Sequence, residues 1–248
     1  MDVFQIIKIT IRLQLARNLS IFFLFLPFLV SAQQLTKSSY GVDVLISIKT
    51  YKATLKADTN KKMLELKQLI PFIQYDLKYA TKDNFVKQTL YPRLTSVTFL
   101  RLPAANALAN VQKELAIKGL GIKIFDAYRP YSVTVKFWEL IKDERYVANP
   151  AKGSGHNRGL AVDLTIIELK TGKELDMGTG FDNFTDTAHH TFRVLPEKIL
   201  QNRFLLKEVM QKHGFKLFET EWWHYSWPND RNYEVMDIEF KKLKNITN

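Results

Sequence analysis

Ten residues in the second half of the chain decide how the rest of it folds: Ser154-Gly155-His156-Asn157-Arg158-Gly159-Leu160-Ala161-Val162-Asp163. His156 and Asp163 are an odd number of positions apart, so one unbroken strand would place their side chains on opposite faces. The intervening Asn-Arg-Gly sequence is a turn signal, however, and the apolar residues from Leu160 onward predict a strand. His156 can therefore precede a turn that brings its imidazole to the carboxylate of Asp163.

A second segment with the residues for metal chemistry comes later and runs Glu221-Trp222-Trp223-His224. The chain has no cysteine, so any metal must be held by His, Asp and Glu side chains. Two histidines and one carboxylate are a standard catalytic zinc set with a position left for water, which a nearby carboxylate can deprotonate. By spacing alone, His156 and Asp163 could instead be a hydrogen-bonded structural pair, and the aromatic residues around His224 could serve only in packing.

The segments around these motifs predict the fold class. Helical spacing predicts helices over residues 103–118, 132–143 and 197–212, and apolar β-branched runs predict strands over 121–125, 160–167, 215–218 and 222–227. Helices and strands interleave, but the closing strands lie close together. This order favours an α+β domain, spanning residues 64–240, over a doubly wound α/β sheet.

The two ends of the chain predict appendages. Three basic residues precede a short apolar run that ends in Val30-Ser31-Ala32, which is typical of a secretory signal peptide over residues 1–32. The alternatives are an uncleaved anchor or an upstream mis-start. Residues 33–63 are interpreted as an extension or linker with a short strand between Val42 and Ile48, and residues 241–248 as a polar tail. We expect an exported, extracytoplasmic protein without a stable membrane span after cleavage.

The formal net charge of +11 makes anionic partners plausible. A nucleic acid is one such partner, and an anionic cell wall or membrane surface is another. The lysines are scattered, and the sequence contains no zinc-finger, basic-zipper or aromatic RNA-binding signature. We therefore predict no nucleic-acid partner and interpret the charge as a solvated basic surface.

Further motifs occur in the order found in a known enzyme family. These are Asp76-Leu77-Lys78-Tyr79-Ala80-Thr81 with Asn84-Phe85, Asp126-Ala127-Tyr128-Arg129-Pro130, Phe181-Asp182 with His189-His190, and Glu221-Trp222-Trp223-His224-Tyr225. Together with the pattern Ser-x-His, six residues, Asp, they resemble the VanX-type D-alanyl-D-alanine dipeptidases. That family belongs to a wider group of zinc peptidases that includes D,D-carboxypeptidases and hedgehog-like domains. The resemblance covers about residues 64–240 and implies a single domain with a mainly antiparallel central sheet flanked by helices.

The resemblance implies a role for each matching residue. One zinc ion per chain would be bound by His156, Asp163 and His224. Glu221 would be the general base and then the general acid. Arg129 would polarise the scissile carbonyl and stabilise the oxyanion, although an arginine before a proline could also salt-bridge a turn.

The same resemblance implies how the substrate is held. Asp182 and Tyr79 would bind its free ammonium group, and Ser154 would help to line the site. By residue type alone Asp182 could instead cap its loop, and Tyr79 could only pack. Gly155 departs from the pattern, because the best-known members have a second serine there, and any contact from that hydroxyl is missing.

These expectations predict a zinc metallopeptidase that hydrolyses D-alanyl-D-alanine with metal-activated water. Its partners would be small D,D-dipeptides and cell-wall fragments. The nearest alternative is a D,D-carboxypeptidase that trims peptidoglycan stem peptides. A second alternative is a non-catalytic zinc-binding module that binds cell wall, against which Glu221 and Arg129 argue.

Overall fold

The secondary structure alternates short strands with helices along the chain. The computed structural model describes residues 35–247, so the predicted signal peptide lies outside the described residues. The strands are β1 (Thr36–Lys37), β2 (Asp43–Leu45), β3 (Met63–Glu65), β4 (Gln74–Tyr75), β5 (Phe99–Arg101), β6 (Leu120–Asp126), β7 (Ala161–Glu168), β8 (Lys216–Phe218), β9 (Glu221–Ser226) and β10 (Val235–Met236). The helices are α1 (Ile48–Ala57), α2 (Leu66–Leu69), α3 (Leu102–Ala116), α4 (Tyr131–Ile141), α5 (Glu197–Lys212) and α6 (Phe240–Thr247).

The central sheet has five strands in the order β4-β6-β7-β9-β8. Its β4–β6 pair is parallel, and its three remaining pairs are antiparallel. Two smaller sheets, β1-β2-β10 and β3-β5, lie outside it. The predicted α+β class with a mainly antiparallel sheet is confirmed.

The predicted helices and strands of the central part form where the residue pattern places them. Pro103 occupies the first turn of α3, and Gly119 follows that helix with a φ of +70°. Glycine has no Cβ and adopts a positive φ with little strain, so Gly119 lets the chain turn away after the helix. Apolar residues of helices α3 and α5 share one buried cluster with those of strands β6 and β7, which includes Leu108, Val111, Ile122, Leu164, Leu206 and Val209.

The described part of the predicted extension or linker is folded with the rest of the chain. Leu45, Tyr51 and Met63 are fully buried in a second apolar cluster that also contains Leu243. The strand predicted between Val42 and Ile48 ends at Leu45, because Ser47 caps helix α1 by accepting a hydrogen bond from the Thr50 amide at 3.4 Å.

The described part of the predicted polar tail is helical. Residues 240–247 form helix α6, whose Phe240 and Leu243 are buried. These positions are three apart, which places them on one helical face, while the lysines of the segment face solvent. Among residues 35–247, no helix has the length and apolar character needed to cross a membrane.

Candidate active site and metal centre

Three neighbouring strands bring the acidic and imidazole groups of the site to one level of the central sheet. Asp163 of β7 is paired with Asp126 of β6 on one side and with His224 of β9 on the other. Residues that are directly opposite on paired strands have adjacent side chains. Strand register therefore assembles side chains that are far apart in the sequence.

His156 reaches this level from the turn that the sequence predicts. Residues His156–Arg158 form a short 3₁₀ turn, and Gly159 follows with a φ of +68°. The amides of Leu160 and Ala161 both donate to the Gly155 carbonyl, at 2.9 and 3.2 Å, which folds the start of β7 back onto the turn. The odd spacing of His156 and Asp163 is thereby overcome, as predicted.

The donor atoms of His156, Asp163 and His224 converge. His156 Nε2 lies 3.4 Å from His224 Nδ1 and 3.4 Å from Asp163 Oδ2, and His224 Nδ1 lies 2.9 Å from Asp163 Oδ1. Two donors on one tetrahedral zinc ion, each about 2.0–2.1 Å from it, are roughly 3.3 Å apart. The three side chains therefore fit a zinc ion in both chemistry and spacing.

The hydrogen bonding of His156 fixes which ring nitrogen can bind a metal. Its Nδ1 lies 2.7 Å from the Ala127 carbonyl, so Nδ1 carries the proton and donates. The lone pair of Nε2 then points toward Asp163 and His224. A metal-binding histidine typically has this arrangement, with its second nitrogen bonded to a carbonyl or carboxylate.

Burial and charge act in opposite directions on Asp163. Burial disfavours its ionised form, but His156 and His224 outweigh burial and hold the pKa of Asp163 below its ordinary value. The group is therefore a carboxylate, which is the form that binds metal.

Glu221 is directed into the same cleft. Its Oε2 lies 3.8 Å from His224 Nδ1, and burial raises the pKa of Glu221. Residues three apart on a regular strand face opposite sides, but the pairing of β8 with β9 is irregular between Leu217 and Phe218. A register shift of this kind re-aims side chains at the start of a strand.

Arg129 is held in the cleft by one carboxylate. Its Nε and Nη2 donate to Asp126 Oδ2 at 2.9 and 2.7 Å, and Nη2 lies 4.0 Å from Asp163 Oδ2. The guanidinium also lies over the rings of Tyr79 and Phe137, 5.0 Å from each centroid. Arg129 therefore both forms a salt bridge with Asp126 and lines the cleft.

Asp182 and Tyr79 form a separate pair in the cleft. The Tyr79 hydroxyl donates to the Asp182 carboxylate at 3.1 and 3.3 Å. Burial, and then repulsion from Asp163, raise the pKa of Asp182 well above its ordinary value. Within residues 35–247 no lysine or arginine forms a salt bridge with Asp182, so this carboxylate lacks a cationic partner.

All eight predicted site residues line one cleft, which has a volume of about 280 Å³. They are Tyr79, Arg129, Ser154, His156, Asp163, Asp182, Glu221 and His224. Aromatic rings complete the wall: Phe85 stacks on Phe137 with centroids 5.5 Å apart, and Phe184 meets the edge of Phe85. A cleft of this size suits a small ligand.

Asp126, its hydrogen-bond donor Tyr91, and Asn157 support the site and had no predicted role. Asp126 is fully buried, holds Arg129, and accepts a hydrogen bond from the Tyr91 hydroxyl. Asn157 is fully buried and donates to the Arg129 carbonyl at 2.9 Å while accepting from the Ser154 amide at 2.9 Å. The only sequence signal was that Asp126 and Asn157 lie inside the motifs.

The fold and this cleft define a metallopeptidase with a histidine and carboxylate metal centre. Residues 59–243 match the family model described as D-ala-D-ala dipeptidase. The chain belongs to this family.

The chain is also similar to individual proteins. The chain is 33% identical over 184 residues to a D-alanyl-D-alanine dipeptidase of Escherichia coli, covering 74% of this chain and 93% of that protein. It is 32% identical over 180 residues to one of Enterococcus faecalis, covering 65% and 89%. A solved structure of the zinc-bound D,D-pentapeptidase VanY overlaps 55% of this chain and 76% of its own, at 15% identity and a TM-score of 0.34.

Proposed function

We propose that this protein hydrolyses D-alanyl-D-alanine to two D-alanine molecules at one zinc ion per chain, bound by His156, Asp163 and His224. The observation that supports it most directly is the convergence of these three donors beside Glu221 in a cleft of dipeptide size. A zinc ion held by these three residues would act as a Lewis acid that polarises the scissile carbonyl and lowers the pKa of bound water.

The chain's own residues then divide the work of hydrolysis. Glu221 takes a proton from the attacking water and returns it to the departing amine of the second D-alanine. Arg129, whose guanidinium is held in position by Asp126, stabilises the negative charge that develops on the carbonyl oxygen. Ser154 lines the cleft beside His156.

The assay for this function combines metal analysis with product detection. We expect the purified protein to contain one equivalent of zinc, to release D-alanine from D-alanyl-D-alanine, and to lose this activity when a chelator removes the metal. Bound zinc without D-alanine release would contradict the enzymatic role and favour a non-catalytic zinc module.

Asp182 and Tyr79 select substrates with a free amino group. The buried carboxylate of Asp182 would pair with the ammonium group of the first D-alanine, whereas an acylated amine would leave that carboxylate buried without a cation. This distinction separates a dipeptidase from a carboxypeptidase that trims peptidoglycan stems.

Replacing Asp182 with Asn should weaken this selection. A hydrogen bond to a charged group contributes about 1.5–3 kcal/mol, so the ratio of kcat/KM for D-alanyl-D-alanine over its N-acetyl derivative should fall roughly 10- to 100-fold. Tyr79→Phe is the comparison variant, because it keeps the Asp182 carboxylate and removes only the hydrogen bond that the tyrosine hydroxyl donates to it, so the ratio should fall less than in D182N. An unchanged ratio in D182N would exclude the proposed ammonium site.

The proposed setting is extracytoplasmic. The amino-terminal sequence pattern supports export with cleavage after Ala32, which would give a mature amino terminus at Gln33. Cell-wall fragments would be the source of substrate in that setting, and the basic surface suits an anionic wall.

A further inference from the structure

Arg101 is fully buried outside the cleft, and it forms hydrogen bonds to the turn that contains the proposed metal ligand His156. Its Nε donates to the Arg158 carbonyl at 2.8 Å, and its backbone amide donates to the Gly159 carbonyl, also at 2.8 Å. These are the last residue of the His156–Arg158 turn and the residue directly after it. Two bonds from one residue therefore fix the end of the turn.

The rest of the guanidinium anchors the turn to two other parts of the chain. Nη1 donates to the Lys61 carbonyl at 2.5 Å, and Nη2 lies 3.3 Å from the Glu234 carbonyl and 3.5 Å from its carboxylate. The ammonium group of Lys61 forms a further ion pair with Glu234. A single rigid fork thus ties the segments before β3 and before β10 to the turn.

We propose that Arg101 is a positioning residue of the metal centre, because it fixes the turn from which His156 presents Nε2. Metal bonds tolerate displacements of only about 0.2 Å. A shift of the turn would move Nε2 relative to Asp163 and His224, which are held independently by strand register. The inference rests on the proposed metal ligands.

The test is the zinc affinity of Arg101→Lys, measured by competition with a chromophoric chelator. Lysine keeps the positive charge near Glu234, but it cannot donate in the fixed directions of the guanidinium fork. Loss of a group that orients a metal ligand lowers metal affinity about 10- to 100-fold. We expect a loss of this size in R101K, together with an altered visible spectrum of the cobalt-substituted protein.

Arg203→Lys is the matched control. Arg203 is also a buried arginine that donates to backbone carbonyls, at 2.7 Å to Met177 and 2.8 Å to Thr187, but it contacts no part of the His156–Arg158 turn. We expect R203K to lower the unfolding temperature of the metal-free protein comparably and to leave zinc affinity within about twofold of the wild type. The contrast separates positioning of the metal ligand from general stability.

The experiment distinguishes failure of the role of Arg101 from failure of the proposed function. A wild-type protein that binds no zinc would remove the proposed function itself. If the wild type binds zinc and R101K binds it with the same affinity, only the role of Arg101 is overturned. The same holds if the zinc affinity of R101K is no lower than that of R203K. If R101K is unfolded without metal, its zinc-dependent folding gives the affinity. An R101K that stays unfolded in saturating zinc would also overturn it, because excess metal repairs a positioning defect.

Discussion

Glu221→Gln should lower kcat for D-alanyl-D-alanine by about 10²- to 10⁴-fold while zinc stays bound, which is the range expected for loss of a positioned general base and acid. Glutamine has nearly the same size as glutamate, but its amide cannot take the proton of the attacking water. The position of Oε2, 3.8 Å from His224 Nδ1, puts the carboxylate beside the metal donors without making it one of the three that converge. The measurement is kcat together with the zinc content of the same sample.

Glu219→Gln provides the control for this substitution. Glu219 is an exposed glutamate two positions earlier in the turn between β8 and β9, so the same charge is removed a short distance from the cleft. We expect it to keep kcat within about twofold of the wild type. If E221Q retained zinc and more than a tenth of the wild-type kcat, Glu221 would not be the group that transfers the proton.

The contrast between His156 and Asp126 explains how far the sequence could predict the site. The approach of His156 to Asp163 was predictable, because a local turn signal lies between them and local signals are read within a few residues. The closeness of Asp126 to Asp163 depends on the register of β6 against β7. A single sequence contains no direct signal for the pairing of distant strands.

The two chain segments outside the motifs were harder to interpret for different reasons. Helix α6 had a usable signal, the apolar spacing of Phe240 and Leu243, which the many lysines obscured. The segment before Met63 contains helix α1, for which no helix was predicted. Its buried residues Leu45 and Tyr51 belong to a cluster with residues from distant parts of the chain, and a single sequence does not show which distant residues will meet.

The roles of Arg129 in catalysis and in stability can be separated by substituting it together with its partner. Arg129→Met should lower kcat about 10²- to 10³-fold, the effect of removing one donor to a developing oxyanion. It should also cost about 3–5 kcal/mol of the free energy of unfolding, because Asp126 would be left as a buried carboxylate without its cation. The measurements are kcat and urea-induced unfolding of zinc-saturated protein.

Adding Asp126→Asn to Arg129→Met removes the uncompensated charge but restores no cation to the cleft. The amide oxygen of the new asparagine would still accept the hydrogen bond that the Tyr91 hydroxyl gives to Asp126. The double variant should therefore regain most of the lost free energy of unfolding and none of the lost kcat. Recovery of kcat along with stability would mean that Arg129 acts only by balancing Asp126. Recovery of stability alone requires that its guanidinium acts on the substrate, because the repaired fold would then lack only the charge directed into the cleft.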